Sequence, residues 1–191
     1  MTETQKSLSV FFPCYNDKGT IDKLVYDVKE VAQKLTQDFE IIVIDDGSTD
    51  GSRDLLLELE PQVSELRLVF HEKNRGYGGV LKTGIKTATK DLVFYTDGDA
   101  QYDVKELPLL WEKMTPEVDV VNGYKLQRND AIHRIIIGQV YQAAMRFAFQ
   151  LPIKDPDCDF RLIRRKVFDK VQLERNTGTV TVELVKKIDL A

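Results

Sequence analysis

Short continuous apolar runs alternate along this chain with stretches in which apolar residues recur every three or four positions. Residues 8–12, 39–44, 66–70 and 92–96 are runs of strand length rich in β-branched and aromatic side chains, and residues 118–123 form a fifth. Between the first two, Ile21, Leu24, Val25, Val28, Val31, Ala32 and Leu35 follow Gly19 and Thr20 at helical spacing. Leu55, Leu56 and Leu59 mark a second helix, and Val80, Leu81, Gly84, Ile85 and Ala88 a third; residues 104–114 read as helical too. Strand, helix and strand in succession predict parallel pairing, so the fold class is α/β with a central, mostly parallel sheet flanked by helices. No internal repeat, low-complexity tract or linker interrupts the pattern, and residues 1–191 read as a single domain.

Polar loops follow three of these strands. Asp97, Gly98, Asp99, Ala100 and Gln101 come after residues 92–96, and two carboxylates spaced i, i+2 beyond a strand end can turn toward one divalent cation. Mg²⁺ and Mn²⁺ favour such oxygen ligands and take the rest of their shell from water and substrate phosphates, which points to a diphosphate-bearing substrate. A polar turn is the plainer reading of the same residues. Asp45 and Asp46 open a second loop that continues through Gly47, Ser48, Thr49, Asp50, Gly51 and Ser52. Ser48, Thr49 or Asp50 can cap the next helix, but capping does not account for adjacent carboxylates. Pro13, Cys14, Tyr15, Asn16 and Asp17 make the third loop, and ligands of open α/β sheets bind outside the carboxyl ends of strands, so the three loops can converge on one crevice. Gly76, Tyr77, Gly78 and Gly79 precede the third helix, where glycine backbone and a helix N-terminus suit a phosphate or a ribose; a flexible loop with a cap is the structural alternative.

Composition narrows the classes without naming one. With 191 residues, 42% hydrophobic and 30% charged, the chain can bury one sizeable core. A net charge of −4 argues against general nucleic-acid binding. Cys14 and Cys158 are too few for a disulfide framework or a zinc site, and the expectation is a cytoplasmic protein with reduced thiols. Residues 1–6 carry no signal-peptide pattern and no uncharged apolar stretch approaches membrane-spanning length, so any membrane contact is expected from the cytoplasmic face.

Taken in order, the loop after the first strand, the segment from Asp45 to Ser52, the stretch Asn74, Arg75, Gly76, Tyr77, Gly78 and Gly79, and the segment from Asp97 to Gln101 resemble the motifs of the family 2 glycosyltransferases, across roughly residues 8–170. The resemblance is nearest to the polyprenyl-phosphate glycosyltransferases, such as the dolichyl-phosphate mannose synthases. It implies the GT-A fold, a GDP- or UDP-sugar donor and a Mg²⁺ or Mn²⁺ cofactor. By the same resemblance Pro13, Tyr15 and Asp17 hold nucleobase and ribose, with Asp17 standing where the family frequently has Glu. Asp45 and Asp46 read the base and ribose, Asn74, Arg75 and Gly76 lie against the nucleotide-sugar, and Asp97 and Asp99 flank the metal on the diphosphate with Gln101 as helper.

The second half of the sequence bears on the acceptor. Lys125, Arg128, His133 and Arg134 cluster after the fifth strand, and Arg161, Arg164, Arg165 and Lys166 follow Asp155, Pro156, Asp157, Cys158, Asp159 and Phe160. Phosphate acceptors need cations, and Arg128, Arg134 and Arg161 match family positions best. Asp155, Asp157 and Asp159 are candidate bases for a hydroxyl acceptor, although many mannose synthases have Gly where this chain has Asp159. His71 and His133 read as structural. Residues 134–151 form an amphipathic pattern with a wide apolar arc, fitting either a core helix or a helix in the membrane interface. A helical pattern beginning at Val180 stops at Ala191 without a Gly or Pro signal, so the chain is expected to be cut short or naturally short.

The expectation is therefore an inverting transferase moving a sugar from a nucleotide-sugar to a polyprenyl phosphate. Transfer to a saccharide or protein hydroxyl is the alternative within the enzyme class, and a nucleotide-binding module without activity the alternative outside it. A nucleotidyltransferase would carry a Gly/Lys phosphate loop, and a processive polysaccharide synthase a Gln-x-x-Arg-Trp motif, neither of which occurs.

Overall fold

The computed structural model describes residues 6–98, 102–124, 153, 155 and 158–190. Its frame is a six-stranded sheet of β1 (Leu8–Cys14), β2 (Phe39–Asp45), β3 (Leu66–Phe70), β4 (Leu92–Thr96), β5 (Val120–Asn122) and β6 (Phe160–Arg164). The strand order is β3-β2-β1-β4-β6-β5. The first four strands run parallel, and β6 lies antiparallel between β4 and β5. Helices α1 (Ile21–Leu35), α2 (Ser52–Leu59), α3 (Tyr77–Thr87), α4 (Leu107–Lys113) and α5 (Val180–Asp189) cover the sheet.

Strand periodicity assigns each helix to a face. Val10, Phe12, Cys14, Ile41 and Val43 point to one side, where they meet Ile21, Leu24, Val25 and Val28 of α1, Leu56 of α2 and Leu110 of α4. Phe11, Ile42, Ile44, Val93 and Tyr95 point to the other, against Val80 and Leu81 of α3 and Val180 and Leu184 of α5. Alternating side chains, apolar on both faces, produce the near-continuous apolar runs expected of a parallel sheet covered on both sides. Register then levels the strand ends: Cys14 pairs with Asp45 and Asp45 with Phe70. The loops after β1, β2 and β3 leave the sheet side by side for that reason.

Two features differ from the sequence reading. The expected helix over 104–114 opens as a 3₁₀ turn, Val104–Glu106, and becomes α-helical only at Leu107. Asp103 accepts a bond from the Lys105 amide at 3.0 Å, and Pro108 in the first turn has no N–H to lose there. Strand β6 was not anticipated, because Arg161 and Arg164 break its apolar run. Phe160 and Leu162 nevertheless face one cluster and Ile163 the other. The candidate interface helix over 134–151 lies outside the described residues, as do Asp99, Gln101, Arg128, Arg134 and Asp157.

Candidate active site

The carboxyl ends of β1, β2 and β4 open on one cleft of about 270 Å³ lined by Pro13, Tyr15, Asp17, Asp46, Asn74, Gly76, Tyr77, Val80, Asp97 and Gly98. Most of the residues singled out for a nucleotide-sugar therefore meet at one place, although Pro13 and Asp97 are 84 residues apart in the chain. Close approach of the strand ends needs Gly98, since a Cβ there would overlap the Pro13 carbonyl oxygen. Backbone amides stitch the first two loops together. The Asn16 amide donates to Ser48 Oγ at 2.9 Å, that of Lys18 to Asp50 Oδ2 at 3.0 Å, and that of Thr49 to Asn16 Oδ1 at 2.8 Å. Asp17 is shaped by the turn it sits in, its Oδ2 accepting from the Tyr15 amide at 3.0 Å. Tyr15 is left 48% exposed at the cleft mouth, available as a ring face. Asp50, one of the three capping candidates, accepts from the Ser52 amide at 2.9 Å from one position ahead of the N-cap, Gly51, which has no capping side chain.

The adjacent aspartates have separate tasks. Asp45 is fully buried, accepts from Arg53 Nε at 2.8 Å and from the Ser48 amide at 3.1 Å, and so ties α2 to the end of β2. Asp46 is 3% exposed and faces the other way. Its Oδ1 accepts from the Arg75 amide at 2.9 Å, its Oδ2 from the Gly76 amide at 3.0 Å, and His71 Nδ1 lies 2.6 Å from Oδ1. The Asn74–Gly76 turn is thus folded around the Asp46 carboxylate. Gly76 itself has φ +74°, and a Cβ there would meet the Asn176 carbonyl at 2.8 Å. Segment 174–177, to which no sequence signal pointed, is what the glycine-rich stretch packs on: the Gly78 amide donates to Asn176 O at 3.0 Å.

A second polar group backs the cleft from the β4–β6 side. Register sets Tyr95 and Asn122 opposite Arg161, and the guanidinium donates to Tyr95 Oη at 2.7 Å and to Asn122 Oδ1. Burial works against the Arg161 charge, yet Tyr95 and Asp159 outweigh it and hold the group above its ordinary value. Arg161 is 1% exposed, so the structure places it inside the sheet, beside Asp159, rather than on an open surface. Asp155 and Asp159 are also buried, and the Asp159 amide donates to Tyr102 Oη at 3.3 Å. Tyr77 sits on the cleft wall close to both Asp159 and Asp97; burial, then those two carboxylates, push its hydroxyl well above the usual range. Sequence reading quoted Tyr77 only as part of the glycine-rich stretch, with no role of its own, and passed over Tyr102, which only its nearness to the Asp97–Gln101 segment could have flagged. Cys14 and Cys158 are free thiols, each pushed up to about 11 by burial, and are therefore inert neutral groups at the end of β1 and ahead of β6.

As for a divalent metal, no three His, Cys, Asp or Glu side chains among the described residues are grouped to hold one. The Asp97 carboxylate on the cleft wall is a hard oxygen donor, which suits an ion bound by one or two carboxylates and completed by diphosphate and water.

A family model described as glycosyl transferase family 2 matches residues 9–172. The chain is similar to the undecaprenyl-phosphate 4-deoxy-4-formamido-L-arabinose transferase of Aeromonas hydrophila, with 32% identity over 165 residues, 86% of this chain and 51% of that protein. It is similar to the enzyme of the same name from Klebsiella pneumoniae, with 30% identity over 86% of this chain and 50% of that protein. The chain spans about half the length of these curated relatives. Among solved structures it resembles a mannosyltransferase from Pyrobaculum calidifontis in complex with GDP-Man and Mn²⁺ (TM-score 0.66, 20% identity, 94% of this chain and 52% of that one). It also resembles glucosyl-3-phosphoglycerate synthase of Mycobacterium tuberculosis with Mn²⁺, UDP and phosphoglyceric acid (TM-score 0.70, 20% identity, 94% of this chain and 62% of that one). These two likenesses show the fold, which is the GT-A arrangement the motifs implied.

Proposed function

The chain belongs to glycosyl transferase family 2, and from that premise we propose that it moves a sugar from a nucleotide-sugar to a polyprenyl phosphate. The observation that carries this reading is the convergence of Pro13, Tyr15, Asp17, Asp46, Asn74, Gly76 and Asp97 on one cleft at the carboxyl ends of parallel strands. In the proposal Tyr15 offers its ring to the base, the Asn74–Gly76 turn held by Asp46 borders the ribose and diphosphate, and Asp45 supports that end of β2 from beneath. Asp97, with Asp99 and Gln101, would hold a Mg²⁺ or Mn²⁺ ion, which supplies neutralisation of the charge on the departing nucleoside diphosphate. The two solved enzymes with Mn²⁺ support the choice of a divalent ion and leave the two metals equal.

The chemistry needs one displacement. An acceptor oxygen attacks the anomeric carbon as the bond to the diphosphate oxygen breaks, the electron pair leaves with the diphosphate, and configuration inverts. A phosphate monoester is already anionic near neutral pH and needs no base, whereas a hydroxyl would need one, for which Asp155, Asp157 and Asp159 are the candidates. Arg128 and Arg134 are proposed for the acceptor phosphate. Arg161, counted with them from the sequence, acts in this reading as the buried counter-charge of Asp159. The names of the curated relatives favour the lipid phosphate over a saccharide hydroxyl, and peripheral contact with a membrane goes with it. Among the described residues no helix is long and apolar enough to cross a membrane.

Incubation with radiolabelled nucleotide-sugars and a short-chain polyprenyl phosphate tests the proposal. Label in the organic phase, lost more completely in Arg128→Ala or Arg134→Ala than in Asp155→Asn, Asp157→Asn or Asp159→Asn, is the expected result. One Asp variant falling far below the Arg variants, with its fold verified, would transfer the reading to a hydroxyl acceptor, since loss of a general base costs about 10²–10⁴ in rate.

A further inference from the structure

His71 lies just past β3, 2% exposed, and belongs to none of the motifs. Its backbone amide donates to Asp45 O at 2.9 Å, which continues the β2–β3 pairing and fixes the residue to the sheet. Its ring spans two elements. Nδ1 lies 2.6 Å from Asp46 Oδ1 and Nε2 lies 3.0 Å from Thr83 Oγ1 on α3, an oxygen that is also 2.9 Å from Gly79 O. An ionised carboxylate only accepts, so Nδ1 carries a proton and donates it to Asp46. The Asp46 carboxylate therefore collects N–H bonds from Arg75, Gly76 and His71. Two of these come from the turn that Asp46 is holding; the third comes from a residue anchored to the sheet.

We propose that His71 is a positioning residue for donor binding, its Nδ1–H clamping Asp46 so that the carboxylate holds the Arg75 and Gly76 amides at the cleft wall. The inference rests on the reading of the cleft as a nucleotide-sugar site. Without the histidine, Asp46 and the Asn74–Gly76 turn still bond to each other, but the side-chain link from the carboxylate to the end of β3 and, through Thr83, to the middle of α3 is lost. Buried as it is, the ring has no route to a ligand, so its influence passes through Asp46, which lines the cleft together with Asn74 and Gly76.

Two substitutions separate the clamp from simple filling of space. His71→Asn places an amide nitrogen as many bonds from Cβ as Nδ1 and can keep the bond to Asp46; His71→Gln places it as far out as Nε2 and can keep only the bond to Thr83. Calorimetry with nucleoside diphosphate and Mn²⁺ should give affinity near wild type for H71N and an affinity weakened about tenfold or more for H71Q, as expected when a buried carboxylate loses a charge-assisted bond. In the transfer assay the same difference should fall on the donor KM and leave kcat unchanged. Amide hydrogen exchange at Arg75 and Gly76 provides a readout without ligand, with faster exchange in H71Q than in H71N. Equal exchange and equal affinity in the two variants, or affinities that merely follow their melting temperatures, would overturn the clamp. Failure of the wild type to bind any nucleoside diphosphate while the exchange difference persists would instead remove the donor role and the reading of the cleft with it.

Discussion

Tyr95 shows how much around this site is decided by single side chains that do not line the cleft. Its ring stacks on Phe11 at 5.4 Å in the core, and its hydroxyl is the hydrogen-bond partner of a guanidinium with almost no access to water. Tyr95→Phe keeps the ring and deletes that partner. The variant should lose about 2–3 kcal/mol of stability in urea denaturation, the range for a buried charged donor left short of an acceptor, and an unchanged midpoint would mean that Arg161 does not depend on it. At this scale the sequence was informative where chemistry sits at strand ends and silent where it spans the fold. Asp46 and Asp97 were legible because carboxylates beyond apolar runs have few structural uses. His71 was read as structural without a partner, since Asp46, 25 residues away, meets it only after β2 and β3 pair in register. Arg161 looked like a phosphate ligand for the same reason: nothing local reveals that Tyr95 and Asn122 will flank it.

Elements translate these choices into the shape of the cleft. The ends of β1 and β4 approach so closely at Gly98 that an added methyl must push the Pro13 carbonyl, which is backbone and cannot swing aside. Gly98→Ala should cost about 1–3 kcal/mol, as overpacking does, and should also weaken nucleotide binding because the displaced strand end carries Pro13 and Tyr15. Wild-type affinity in a folded Gly98→Ala protein would show that the two strand ends do not set the cleft. The α/β alternation that frames this geometry was readable from periodicity alone, because each strand is apolar on both faces and each helix on one. Strand β6 was not, since its two arginines interrupt the apolar run that marks a strand. The amphipathic stretch over 134–151, outside the described residues, carries an independent expectation: with Ile135, Ile136, Val140 and Phe147 beside a basic cluster, the protein should co-sediment with anionic liposomes, more at low salt. Equal co-sedimentation after Ile136→Ser and Phe147→Ser would mean that this stretch does not carry membrane contact.

The whole molecule is acidic, and its carboxylates link stability to pH. Burial raises the Glu40 carboxyl, but bonds from Ser9, Arg67 and Thr89 outweigh it and leave the group below its ordinary value of 4.5. A carboxyl depressed in the folded state stabilises it fully above that ordinary value, and the contribution disappears as pH falls through the lower folded value. Glu183, bonded to Lys187 and to the Arg175 and Glu174 amides, shifts in the same direction against its own burial. Urea midpoints should therefore decline on acidification below the ordinary glutamate range, and Glu40→Gln should flatten the decline; identical slopes would show that Glu40 is not coupled to folding. The central claim is that the cleft is a metal-assisted nucleoside diphosphate site, and calorimetry with UDP and GDP, with and without Mn²⁺, tests it most directly. Binding of at least one nucleotide that requires the metal and vanishes in Asp97→Asn and Asp99→Asn, with melting curves unchanged, is the predicted result; metal-independent binding, or undiminished affinity in both folded variants, would contradict it.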